Sequence, residues 1–151
     1  MYKIETQLTA DAIDSLESLL QEIEFKSNDI RPGVNAPEIM SVYTHAKWYD
    51  WNRQQKNTFK NAFGDHINTA VVGWFITFPE SGFLDIMDYW QNLPSAGFVV
   101  AYSLTDNNSI KIGNDSVILQ KGEGISFSLK ELHEVSAESF ERRWACVMQL
   151  Q

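Results

Sequence analysis

The chain has 151 residues, 44% of them hydrophobic and 13% aromatic, which is enough for one packed domain and unlike a disordered tail. Twenty acidic against twelve basic residues leave a formal charge of −8, a balance that repels nucleic-acid phosphates and anionic lipid. A single cysteine, Cys146, excludes an intrachain disulfide, and no run approaches the ~18 apolar residues of a membrane span, so the expectation is a cytoplasmic protein.

The N-terminus, MYKIETQLTADAID, has neither a basic region nor an apolar run, so no signal peptide is expected. A short strand is predicted over residues 2–7. Thr9 or Asp11 then caps a helix to about Phe25, with Ile13, Leu16, Leu19, Leu20 and Ile23 at helical spacing. Residues 27–41 hold two Pro, a Gly, two Asn and two Ser, the composition of a loop or lid. A second helix is expected from Trp51 to Phe63, stopped by Gly64. The β-branched and aromatic run from Thr69 to Phe78 reads as a buried strand ended by Pro79.

Short strands follow at 82–90, 98–104, 109–112, 116–120, 124–128, 133–135 and 143–150. Turn residues such as Asp106-Asn107-Asn108 and Gly113-Asn114-Asp115 separate them. Many short strands after a helical start predict a mostly β jelly roll or barrel with N-terminal helices. The division expected is a helical support and lid over 1–68 and a β core over 69–151, within one domain.

Chemistry concentrates between Gly122 and Cys146. A glycine turn leads into an apolar strand ending at Phe127. Leu132-His133-Glu134-Val135 follows, and Arg143 stands ten residues after the histidine. Together with SGFLDIMDYW and AGFVVAYSLTD upstream, this segment resembles the double-stranded β-helix (cupin-like jelly roll) of the iron- and 2-oxoglutarate-dependent oxygenases. The rhythm is similar to the prolyl hydroxylase group, and 109–135 is similar to the aspartyl/asparaginyl β-hydroxylase group.

The resemblance implies Fe(II) and 2-oxoglutarate as cofactors. It implies Asp88 and His133 as metal ligands, Asp88 lying 45 residues before His133 as in the family's spacing. It also implies that Arg143 and Tyr102 hold the far carboxylate of 2-oxoglutarate, for which a planar guanidinium is suited.

One departure is built into the sequence. The family's first strand carries His-x-Asp, and the position two before Asp88 is Ile86. Residues two apart on a strand share a face, so Asp85 cannot replace the missing histidine without a bulge. An aliphatic side chain offers a metal no lone pair, and the facial triad is one ligand short. The β-hydroxylase group uses two histidines without the carboxylate, yet it keeps the histidine absent here. His45 or His66 would have to supply the nitrogen from the N-terminal half.

Each of these residues also has a plain structural reading. Arg143 can pair with Glu138 or Glu141, and Ile86 can be core. Trp48-Tyr49-Asp50-Trp51 can be a packed patch, and Cys146 an inert buried thiol. Three functions follow. The chain is an oxygenase, either active or silenced by its degenerate iron site. Or it is a non-catalytic jelly roll binding a protein partner or assembling into a larger structure such as a virus particle. Or it is a sensor of small carboxylates.

Overall fold

Thr9 is extended (φ −68°, ψ 159°) and its hydroxyl accepts a hydrogen bond from Ala12 N at 3.1 Å, which starts helix α1 (Ala10–Glu22). The helix buries Leu16, Leu19 and Leu20, three of the residues at helical spacing. Helix α2 (Arg53–Phe63) opens on a reciprocal capping box between Asn52 and Gln55 and closes at Gly64, where φ is +62°. In this computed structural model the described residues are 2–27, 44–80, 84–85, 97–128, 131–135 and 138–150.

The strands are β1 (Lys3–Glu5), β2 (Lys26–Ser27), β3 (Thr44–Lys47), β4 (Ala70–Phe78), β5 (Leu84–Asp85) and β6 (Gly97–Ser103). They continue with β7 (Asn108–Ile112), β8 (Asp115–Leu119), β9 (Gly124–Ser128), β10 (Leu132–Val135) and β11 (Arg142–Leu150). They form a seven-stranded sheet, β1-β9-β6-β11-β4-β3-β2, and a four-stranded sheet, β5-β10-β7-β8, with antiparallel pairing between these neighbours. The inner faces meet around Trp74, Phe78, Phe127, Val135 and Trp144. This is the double-stranded β-helix. The left-handed turn at Asn107 (φ 56°) precedes β7, and that at Gly113 (φ 59°) joins β7 to β8.

The outer face of the larger sheet is covered by both helices. Phe59 of α2 is the hub there: its ring lies 5.2 Å from Phe75 of β4, 5.1 Å from Trp51 and 4.8 Å from Phe63. Trp48 and Trp51 are thus core residues, in line with the packed-patch reading. Consequently the central strands have two buried faces, one toward the smaller sheet and one toward the helices. Strands β1, β2 and β3 come from the first 68 residues and extend the larger sheet, a contribution that the sequence signalled only for β1.

Apart from Ser27, which ends β2, the expected 27–41 lid lies outside the described residues, as does most of the expected 82–90 strand. Among the described residues no helix is long and apolar enough to cross a membrane.

Candidate functional site

Period-two alternation sorts the residues of β11 onto two faces. Arg142 pairs with Phe78 and Trp144 with Ile76, and both partners line the space between the sheets. Arg142, Trp144, Cys146 and Met148 therefore point inward, while Arg143, Ala145 and Val147 point toward the helices.

Arg143, expected to face a cofactor, lies in a cleft of about 390 Å³ with Leu20, Phe25, Thr44 and Thr77. Its guanidinium is held by Glu141, Nε to Oε1 at 2.6 Å, and both side chains are roughly half exposed. Tyr102 of β6 also faces the helices. Its ring packs 5.5 Å from Phe63 and its hydroxyl donates to the Thr6 carbonyl at 3.2 Å, in a separate cleft of about 440 Å³. Burial, aided by the Glu5 charge, pushes the Tyr102 phenol above its ordinary pKa.

The two side chains line different clefts and each is engaged elsewhere. The Tyr102–Arg143 clamp is not assembled. Parity also keeps both out of the roll, since each stands on the helix-facing side of the sheet.

The arginine that enters the roll is Arg142, which the ten-residue spacing passes over by one. It is fully buried, and its guanidinium carbon lies 5.3 Å over the Phe78 ring. Burial pushes its pKa below the usual arginine value, and the Glu138 charge acts against that shift. The start of β11 is anchored by buried polar groups. Asn108 Nδ2 donates to Ser103 Oγ at 3.1 Å and to the Arg143 carbonyl at 3.1 Å, and Arg143 N donates to Thr105 Oγ1 at 3.2 Å.

Of the expected metal ligands, Asp88 and the neighbouring Ile86 lie outside the described residues. His133 belongs to β10, where the pairing with β7 slips: Leu132 faces Ile112, but Glu134 faces Lys111. One extra residue on β10, at His133, makes this a β-bulge.

His45 and His66 stand on different elements. Half-buried His45 sits on β3 opposite Ile76, and burial, then Lys47 and Lys26, push its pKa down against the opposing charge of Asp50. His66 lies in the turn after α2, with Nε2 3.8 Å from Glu5 Oε2 and its carbonyl accepting from Gln149 Nε2 at 2.6 Å. Among the described residues no three His, Cys, Asp or Glu side chains gather as a metal site.

Among the described residues, the void found between the sheets is also small. Trp74, Ile76, Phe78, Phe127, Trp144 and Cys146 surround a void of about 20 Å³. That is about the space one water needs, whereas small-molecule pockets run to ~300–1,000 Å³. A void of that size has no room for 2-oxoglutarate, and of the residues expected to hold iron, Asp88 and the His133 side chain lie outside what is described. Cys146 is buried here, and desolvation pushes its thiol pKa far up, so it is an inert core residue.

No family model and no curated protein matches the chain. Solved structures do. A prolyl-4-hydroxylase from Pseudomonas putida aligns over 99% of this chain and 92% of its own, at 13% identity and a TM-score of 0.70. A prolyl hydroxylase from Trichoplax adhaerens, solved with a hypoxia-inducible-factor peptide, aligns over 99% and 83% at 12% identity and 0.71. An oxidoreductase of the 2OG-Fe(II) oxygenase family from Burkholderia pseudomallei gives 99% and 85% at 12% identity and 0.61. At these identities the likeness is one of fold: the chain has the architecture of the 2-oxoglutarate oxygenases.

Proposed function

We propose that this chain is a 2-oxoglutarate oxygenase-like jelly roll with a degenerate iron site, working as a non-catalytic module that binds a protein partner or builds an assembly. The observation that carries the reading is the tight packing of the described interior. Two indoles, Trp74 and Trp144, and the rings of Phe78 and Phe127 line a void of only about 20 Å³ between the sheets. Ile86, at the position where the resemblance implies a metal-binding histidine, supports the same reading from the sequence. A reducing, cytoplasmic setting is part of the proposal and rests on a lone cysteine with no second thiol.

The test is calorimetry with Fe(II), combined with iron-dependent conversion of 2-oxoglutarate to succinate. No metal binding above background and no succinate are expected, with or without a pool of candidate substrates. Iron-dependent turnover by the unaltered protein would end the reading. The Ile86→His variant adds a second measure: gain of Fe(II) binding would show that Asp88 and His133 still face a shared metal position.

A second reading is the sensor of small carboxylates that the sequence leaves open. Thermal stabilisation of the unaltered protein by 2-oxoglutarate or succinate without metal would favour this sensor over the assembly module.

A further inference from the structure

The cleft that holds Arg143 lies on the helix-facing side of the larger sheet, and strand register sets its floor. Thr44 of β3 stands opposite Thr77 of β4, and Thr77 stands opposite Arg143 of β11. Directly opposed residues share a face, so two hydroxyls and a guanidinium form one row across three strands, about 10 Å long. The next row on the same face is Ala46, Phe75 and Ala145, apolar throughout. Phe25 packs on that row, its ring 6.4 Å from Phe75, and lines the cleft together with Leu20 from the last turn of α1.

The polar groups of this cleft have capacity to spare. Neither threonine hydroxyl has a hydrogen-bond partner among the described residues. Arg143 directs both Nε and Nη2 at one oxygen, Glu141 Oε1, at 2.6 and 2.5 Å. That leaves Arg143 Nη1 and Glu141 Oε2 without a partner among the described residues. Donors, an acceptor and two hydroxyls that act as either therefore converge beside an aromatic ring. The volume, about 390 Å³, falls in the ~300–1,000 Å³ range of small-molecule sites.

Charge selects the ligand. An anion would meet Glu141 and a chain of net charge −8, and a cation would meet Arg143. A neutral molecule rich in hydroxyls meets neither obstacle and can bond to both members of the pair without parting them. We propose that this cleft binds a sugar: vicinal hydroxyls of a pyranose bond to Arg143, Glu141, Thr44 and Thr77, while its C–H face lies against Phe25. The inference goes beyond the non-catalytic reading and does not depend on it, since the cleft lies outside the roll.

The experiment titrates the unaltered protein with three methyl pyranosides, of glucose, mannose and galactose, and follows its amide proton–nitrogen correlation spectrum. Cyclohexanol serves as a ring with one hydroxyl, and inorganic phosphate as an anion. At least one pyranoside should give saturable shifts at the amides of Thr44, Thr77 and Arg143, with a dissociation constant on the order of 1 mM. The affinity should stay the same between roughly 0.02 and 0.2 M salt, because a neutral ligand leaves little charge to screen. Thr77→Val and Arg143→Met should each weaken binding by about threefold to tenfold, the loss of one hydrogen-bonding group.

The absence of saturable shifts with all three pyranosides would overturn the proposal, and so would shifts that map away from this row. Cyclohexanol binding as well as the sugars would show an apolar cleft instead. Phosphate binding at these amides in place of sugar would show an anion site. Mapping on the unaltered protein decides the question even if a variant fails to fold. Succinate production by the unaltered protein would defeat the non-catalytic function and leave this test unchanged.

Discussion

Gly73 offers a quantitative test of the packing between helices and sheet. It sits in the middle of β4 opposite Val147. A Cβ added there would meet Phe59 Cε1 at 2.5 Å and Trp48 Cε3 at 2.9 Å. Carbon atoms rest at about 3.5–4.0 Å, so the Phe59 ring would have to withdraw by roughly 1 Å. It has little room to do so, being wholly buried and bounded by Trp51, Phe63 and Phe75.

Replacing a strand glycine by alanine in open space gains about 0.5–1 kcal/mol, and forcing a methyl into a packed core loses about 1–3 kcal/mol. The second term wins here, and Gly73→Ala should lose about 1–2 kcal/mol net. Urea unfolding at equilibrium reads the loss as a lower midpoint at unchanged slope. In a Phe59→Leu background the same glycine change should cost clearly less, which a double-mutant cycle isolates. A Gly73→Ala protein as stable as the unaltered one, or more stable, would refute this account of the packing.

Asn52→Ala removes the side chain that caps α2 by accepting from Gln55 N at 2.8 Å, and should lower stability by about 1 kcal/mol in the same urea assay. His45 sets a pH dependence. Its folded pKa is pushed below the unfolded value of about 6.5, so the unfolded chain takes up the proton first. Its contribution is thus fully present above about pH 6.5 and declines as the pH falls from there toward the lower folded value. The loss of stability between about pH 7.5 and 5.5 should be smaller in His45→Gln, as read from urea midpoints at the two pH values.

The elements with strong local signals were legible: α1 from its spacing, α2 from its stop at Gly64, and β4, β6 and β9 from their β-branched and aromatic runs. Strand β3, Thr44–Lys47, escaped because four residues next to a Pro- and Gly-rich stretch carry no period of their own. The site was harder for a physical reason. Alternation tells inside from outside only when one face is wet, and β11 is buried on both. Arg142 and Arg143 therefore looked equivalent in the sequence, and a spacing rule chose the one that meets Glu141 rather than the one that meets Phe78. The signal that could have separated them was Trp144 and Met148, large side chains in step with Arg142, against Ala145 in step with Arg143.

The order of strands in the larger sheet bears on how the molecule can be made. Its middle member, β11, is the strand nearest the end of this sequence, and β1, nearest the beginning, joins the rim by pairing Lys3 with Ser126 and Glu5 with Gly124. A ribosome would thus release both helices, with their oily sides uncovered, well before the strand that completes their floor emerges. Such late, long-range closure is slow and exposes sticky intermediates. Removing β11 should accordingly be far more harmful than removing β1, and dependence on chaperones is the natural consequence of this topology.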